Sequence, residues 1–179
     1  RTVRGIGLVA DMAARHGSDI AALRGNLGIG HVRYSTTGAS DLRNVQPIAV
    51  ECRDGVWAIA HNGNLTNAAQ LRARWQAGGA IFQTGTDSEI VLHMLAHPRY
   101  ARRTSSLLAA LRDLRGAFSL LLLHGDELIA VRDRHGFRPL CLGRLDSAFV
   151  IASETCALRQ VGAELVRELE PGEVLRFRN

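Results

Sequence analysis

Residues 107–132 read LLAALRDLRGAFSLLLLHGDELIAVR, and the apolar spacing changes within them. Leu107, Leu108, Leu111 and Leu114 recur three and four apart, the stripe of an amphipathic helix capped by Ser105 or Ser106 and stopped at Gly116. From Ala117 the apolar residues run on without a helical gap to Leu123, then resume over 128–132 after Gly125-Asp126. That is the pattern of two strands joined by a tight turn. A helix feeding directly into an antiparallel pair predicts an α+β domain whose sheets are covered by helices.

The pattern extends in both directions. Downstream, apolar runs at 140–145, 148–152, 165–169 and 173–177 predict further strands, with Asp146-Ser147 and Pro171-Gly172 as turns. Upstream, Thr86-Asp87-Ser88-Glu89 fits a capping box ahead of Ile90, Val91, Met94 and Leu95, and Pro98 ends that helix. Another helix is predicted over 66–77, carrying Leu71 and Trp75 and stopping at Gly78-Gly79. Residues 48–52 and 56–62 flank Arg53-Asp54-Gly55 as a hairpin. Near the start, 5–10 and 27–34 read as short strands around a weakly helical or irregular 11–23.

Composition narrows the function classes. A chain of 179 residues with 46% hydrophobic content fits one globular domain, 1–179. No apolar run reaches the roughly 20 residues of a bilayer helix, and no leader is seen, so a cytoplasmic chain that meets no membrane is expected. The net charge of +5 comes with scattered arginines and only 5% aromatic residues, which argues against nucleic acid. All 22 basic residues are arginine, which excludes a lysine Schiff base and a GxxxxGK[ST] phosphate loop. Cys52, Cys141 and Cys156 are too widely spaced for a zinc site or a disulfide framework, and His93 and His97 lack a third ligand, so no metal is expected.

Three polar segments at strand or helix ends are candidates for chemistry: HVRYSTTG at 31–38, HNGN at 61–64 and TGTDSE at 84–89. Each has a plain alternative. Asn62-Gly63 is either a turn or a pair of donors aimed at one oxygen, the amide and the glycine N–H forming an oxyanion hole. Asp87 either sits favourably in a first helical turn or grips an ammonium. Arg33 is either a surface cation or a fork for a carboxylate. Together the three match an α-amino acid with a side-chain carbonyl under attack, and glutamine fits.

The segments GHVRYSTTG, NVQP, IAHNGNLTN and FQTGTDSEIVLH resemble, in order and spacing, the class II, N-terminal-nucleophile glutamine amidotransferases. HNGNLTN with DRHGFRPLCLGRL and ASETCAL is similar to the amidophosphoribosyltransferase branch. The resemblance implies a four-layer αββα sandwich, incomplete at its N-terminus. It also implies that Arg33 binds the glutamine carboxylate with Tyr34 and Thr36 on a closing loop, that Asn62 and Gly63 form the oxyanion hole, and that Asp87 holds the α-ammonium. The nucleophile of the family is an N-terminal cysteine whose α-amine moves the protons. This sequence begins Arg1-Thr2-Val3-Arg4, so the first strand and helix are expected upstream, and the chain alone is expected to be inactive. A phosphoribosyltransferase domain is expected downstream in the same polypeptide, which would be a homo-oligomer making phosphoribosylamine at the first step of purine synthesis. Mg2+, and in some members a 4Fe-4S cluster, would belong to that full-length enzyme; no cofactor is expected in these residues. The competing readings are a binding or assembly module of the same fold without a nucleophile, or another class II amidotransferase.

Overall fold

The computed structural model describes residues 1–33, 41–97, 100 and 106–178. Helix α1 (Val9–Ala21) is followed by the hairpin β1 (Ile48–Cys52) and β2 (Gly55–Leu65), then by helices α2 (Ala68–Ala77), α3 (Ser88–Ala96) and α4 (Ser106–Asp113). Strands β3 (Gly116–His124), β4 (Glu127–Arg132), β5 (Cys141–Leu145) and β6 (Ala148–Ala152) come next, then helix α5 (Thr155–Gln160) and strands β7 (Glu164–Glu168) and β8 (Val174–Arg178). Two antiparallel sheets result, one ordered β1-β2-β3-β4-β8 and one ordered β6-β5-β7.

Strand alternation sorts the side chains into layers. Ile59, Leu120, Leu122, Ile129 and Val131 leave the five-stranded sheet on one face and pack with Leu71, Trp75, Ile90, Leu92, Met94 and Leu107 of α2, α3 and α4. Their neighbours Leu121, Ala130 and Leu175 leave the other face and meet Leu142 and Ile151 of the smaller sheet, with Leu140 just ahead of β5. That sheet in turn packs Cys141, Val150 and Ala152 against Leu158 of α5. Helices, sheet, sheet and helix make the αββα order. Ile59, Leu120, Leu122 and Ile129 are fully buried, each contributing about 1.5–3 kcal/mol of transfer free energy.

The fold departs from the sequence pattern at several places. Residues 5–8 form no strand, Val9 and Ala10 belong to α1, and 27–33 pair with no described strand, with 27–29 lining an open cleft opposite Ala58 and Leu123. Helix α5 and a 3-10 turn at Leu42–Asn44 lay unread in the sequence. The capping box is also absent. Glu89 accepts from the N–H groups of Gln83 and Thr84 and from the Thr84 hydroxyl, and Asp87, the residue before α3, makes no capping bond to that helix. Tyr34, Thr36, Pro98 and Ser105 lie outside the described residues.

Candidate active site

Asn62-Gly63 is not a turn. Both residues lie inside β2, opposite Ser119 and Phe118 of β3. Backbone polar groups of a strand alternate between its two edges, and here the alternation can be followed residue by residue. The His61 N–H donates to Gln46 Oε1 at 2.7 Å and its carbonyl accepts from Gln46 Nε2 at 3.4 Å, on the side of β2 away from β3. Four residues on, the Leu65 N–H donates to Asp87 Oδ2 at 2.8 Å on the same side. Gly63, midway between them, therefore points its N–H to that edge too. Phe118 across the ladder agrees, because its own N–H and carbonyl are engaged with Asp133 on its far side. The Gly63 N–H is thus a donor between two anchored neighbours, beyond the end of β1.

Side chains of β2 alternate as well. Ile59 and Leu65 face the helices and Ala58 lines a cleft on the opposite face, so Asn62 projects from that second face. Its amide is partly exposed and makes no hydrogen bond to any described residue. The His61 imidazole projects toward the helices, where Nδ1 lies 3.2 Å from Ser88 Oγ and 3.4 Å from Asp87 Oδ1. Burial alone would raise the Asp87 carboxyl, but the contact and charge of His61 and the Leu65 N–H outweigh it and hold the group below its ordinary value. The loop that delivers Asp87 is fixed by Glu89, by Asn44 Oδ1 accepting from the Gly85 N–H at 2.9 Å, and by Arg72 donating to the Thr86 carbonyl at 2.8 Å.

Comparison with known proteins adds to this geometry. The glutamine amidotransferase domain family matches residues 31–160, which include every part of the β2 edge and the Asp87 loop. The chain belongs to the glutamine amidotransferase domain family. Among its relatives is amidophosphoribosyltransferase 2, chloroplastic, of Arabidopsis thaliana, 46% identical over 176 residues covering 98% of this chain and 31% of the relative. The amidophosphoribosyltransferase of Rhizobium etli is 45% identical over 172 residues, covering 96% and 34%. The chain spans about a third of the length of these relatives. A solved glutamine phosphoribosylpyrophosphate amidotransferase from B. subtilis, complexed with ADP and GMP, superposes with a TM-score of 0.75 at 39% identity over 83% of this chain and 32% of that one.

Within this amidotransferase domain, His61, Gly63 and Asp87 lie at the edge of β2 away from β3, and the adjacent Asn62 sends its side chain from the other face of the strand. Arg33 is exposed and makes no hydrogen bond or ion pair to Asn62, Gly63 or Asp87. It lines a cavity of about 150 Å3 with His31, Asp41 and Gln46, the residue that grips His61. His31 bridges the two regions electrically: burial, then His61, then Arg33 push its pKa down. Sequence reasoning overlooked Gln46 as a clamp and Glu89 as a loop anchor; the only signals were polar residues that turn out to be almost fully buried. None of the three cysteines belongs to the cluster. Burial, with Glu168 nearby, pushes the Cys141 thiol up, and a hydrogen bond to Glu154 does the same for Cys156, so neither is a ready thiolate. Cys52 sits at the opposite end of β2, beside the Gly55 carbonyl, roughly 23 Å from Asn62 at strand rise. Among the described residues no group of three His, Cys, Asp or Glu side chains is placed to hold a metal ion, and no described helix is long and apolar enough to cross a membrane.

Proposed function

We propose that these residues are the glutamine-hydrolysing part of an amidophosphoribosyltransferase, freeing ammonia for phosphoribosylamine synthesis from phosphoribosyl pyrophosphate at the first step of purine synthesis. The observation that carries the reading is the pair of uncommitted donors on the adjacent Asn62 and Gly63, with the Gly63 N–H on the same strand edge as a carboxylate held ionised at Asp87. A glutamine placed there has its ammonium at Asp87 and its side-chain carbonyl at the two donors, with Arg33, Tyr34 and Thr36 at its carboxylate. As a thiolate attacks, negative charge grows on the carbonyl oxygen and the preorganised donors stabilise it. The thiol is supplied by an N-terminal cysteine of the longer polypeptide, whose α-amine takes and returns the proton. Acylation expels ammonia, and water then releases glutamate.

The partner of this reaction is a phosphoribosyltransferase domain in the same polypeptide, which consumes the ammonia. Mg2+, and a 4Fe-4S cluster where present, belong to that larger protein, a cytoplasmic homo-oligomer. The test is ammonia release from glutamine by the full-length protein and by the 179-residue chain under the same conditions. Turnover is expected from the first alone, and Asn62→Ala in it is expected to lower kcat by roughly 10²- to 10³-fold, the scale for one oxyanion donor. Turnover by the short chain that survives alanine replacement of all three cysteines would overturn the assignment. Glutamine binding without turnover in the full-length protein would favour a binding module instead.

A further inference from the structure

We infer that His61 is a positioning residue that fixes the plane of the Asp87 carboxylate for the substrate ammonium; this rests on the proposed role of Asp87. The imidazole is 1% exposed, and its backbone is clamped on both polar groups by the buried Gln46 side chain. Nε2 is buried and has no hydrogen-bond partner among the described residues. Every polar contact of the ring is therefore made by Nδ1, to Asp87 Oδ1 and Ser88 Oγ. An apolar side chain would fill the same volume without leaving a nitrogen unpartnered, so what the imidazole adds here is that Nδ1 contact.

The consequence follows from the carboxylate. Asp87 Oδ2 is held by the Leu65 N–H, and one such bond leaves the group free to turn about its terminal torsion. A second contact, on Oδ1, fixes the plane. An ionised carboxylate has about four acceptor positions, so the two left over, one on each oxygen, keep fixed directions. Leu65 and His61 belong to the strand that carries Asn62 and Gly63, so the ammonium anchor and the oxyanion donors are tied to a single rigid element. Substrate binding then loses less freedom than it would with a swinging carboxylate.

The test uses the full-length protein and two ligands: glutamine, and 4-carbamoylbutyrate, the same molecule with hydrogen in place of the ammonium. The quantity read is the glutamine KM set against the inhibition constant of the analogue. His61→Asn places an amide nitrogen where Nδ1 was, and His61→Gln places one where Nε2 was. The Asn variant is expected to keep the preference for glutamine within about threefold, and the Gln variant to lose roughly tenfold of it through KM, the scale of one charge-assisted hydrogen bond, with the analogue unaffected. Parallel weakening of both ligands, or an Asn variant that loses the preference, overturns the inference even if the Gln variant fails to fold. Asp87→Asn separates the two levels. If it abolishes the preference while His61→Gln does not, the His61 inference alone fails; if it leaves the preference intact, the assignment of Asp87 fails and the inference with it.

Discussion

His31 and Asp87 show how burial at this site becomes a pH dependence. Burial, His61 and Arg33 all lower the His31 pKa, so as pH falls through about 6.5 the unfolded chain takes up a proton before the folded one does. Stability must therefore decline on acidification through that value. Asp87 shifts the same way for the opposite reason, its charged form being favoured where that of His31 is disfavoured: its folded value lies below the ordinary one, so its contribution is present above about pH 4 and is lost as pH falls below that. The two limbs are separable. Urea midpoints measured from pH 8 to pH 5 are expected to fall in the parent chain and to flatten in His31→Asn, and an unchanged slope in the variant would remove His31 as the cause. Gly63 makes a steric prediction at the same scale. Its φ is +153°, and a Cβ would lie 2.1 Å from the Ala117 carbonyl oxygen, contact with backbone that cannot swing away. Gly63→Ala is expected to lose more than about 2 kcal/mol in a urea melt, the range of backbone strain and overpacking.

At the scale of elements, the link between β4 and β5 is gathered around one carboxylate, with Arg132 and Ser119 donating to the link's own carbonyls. Asp133 is 1% exposed and accepts from the N–H groups of Phe118, His135 and Phe137, at 3.3, 2.8 and 3.1 Å. Asp133→Ala leaves three donors without their acceptor, that of Phe118 buried and those of His135 and Phe137 part-buried, so a loss of about 1–3 kcal/mol is expected by chemical denaturation; a change under about 0.5 kcal/mol would mean that water replaces the carboxylate at all three. The sequence offers this residue only as part of a charged loop, and the contrast marks what was legible. Strands β3 and β4 were readable because burial on both faces leaves continuous apolar runs in the residues themselves, parted by Gly125-Asp126. The Asp87 loop was readable as a helix start, but its capping was misread. The TDSE pattern predicts a capping box, whereas Glu89 turns back to Gln83 and Thr84 and Asp87 turns across to β2. Such contacts are made 22 positions apart for Asp87 and Leu65, and no local pattern records them. Asn62 and Gly63 were misleading for the related reason that the dipeptide favours a turn in isolation, while the β2–β3 ladder holds it extended.

For the whole molecule, burial is unevenly distributed along the chain. Helix α1 buries none of its residues, contains a non-helical His16, and leaves Val9 and Ile20 exposed, with Leu8 just before it exposed as well. Residues 1–3 and 22–29 face Ala58 and Leu123 across an open cleft of about 980 Å3 instead of packing against them. A helix of 13 residues has little stability of its own in water, so the surrounding structure must supply the rest, and here it supplies polar contacts such as Arg15 to the Ile6 carbonyl at 2.9 Å. The central strands differ in kind, since Ile59, Leu120, Leu122 and Ile129 are buried between helices and sheet. Opening α1 exposes almost no new apolar surface, whereas opening β3 requires the core to come apart. Amides of α1 in the 179-residue chain are therefore expected to exchange with deuterium at least about a thousandfold faster than those of β3, the ratio corresponding to a local opening that avoids most of the global unfolding free energy. Peptide-resolved exchange mass spectrometry at two protein concentrations makes the comparison. Equal protection of α1 and β3 at both concentrations would show that the chain closes the cleft on itself. Protection of α1 that grows with concentration would show that a second copy covers the exposed apolar side chains.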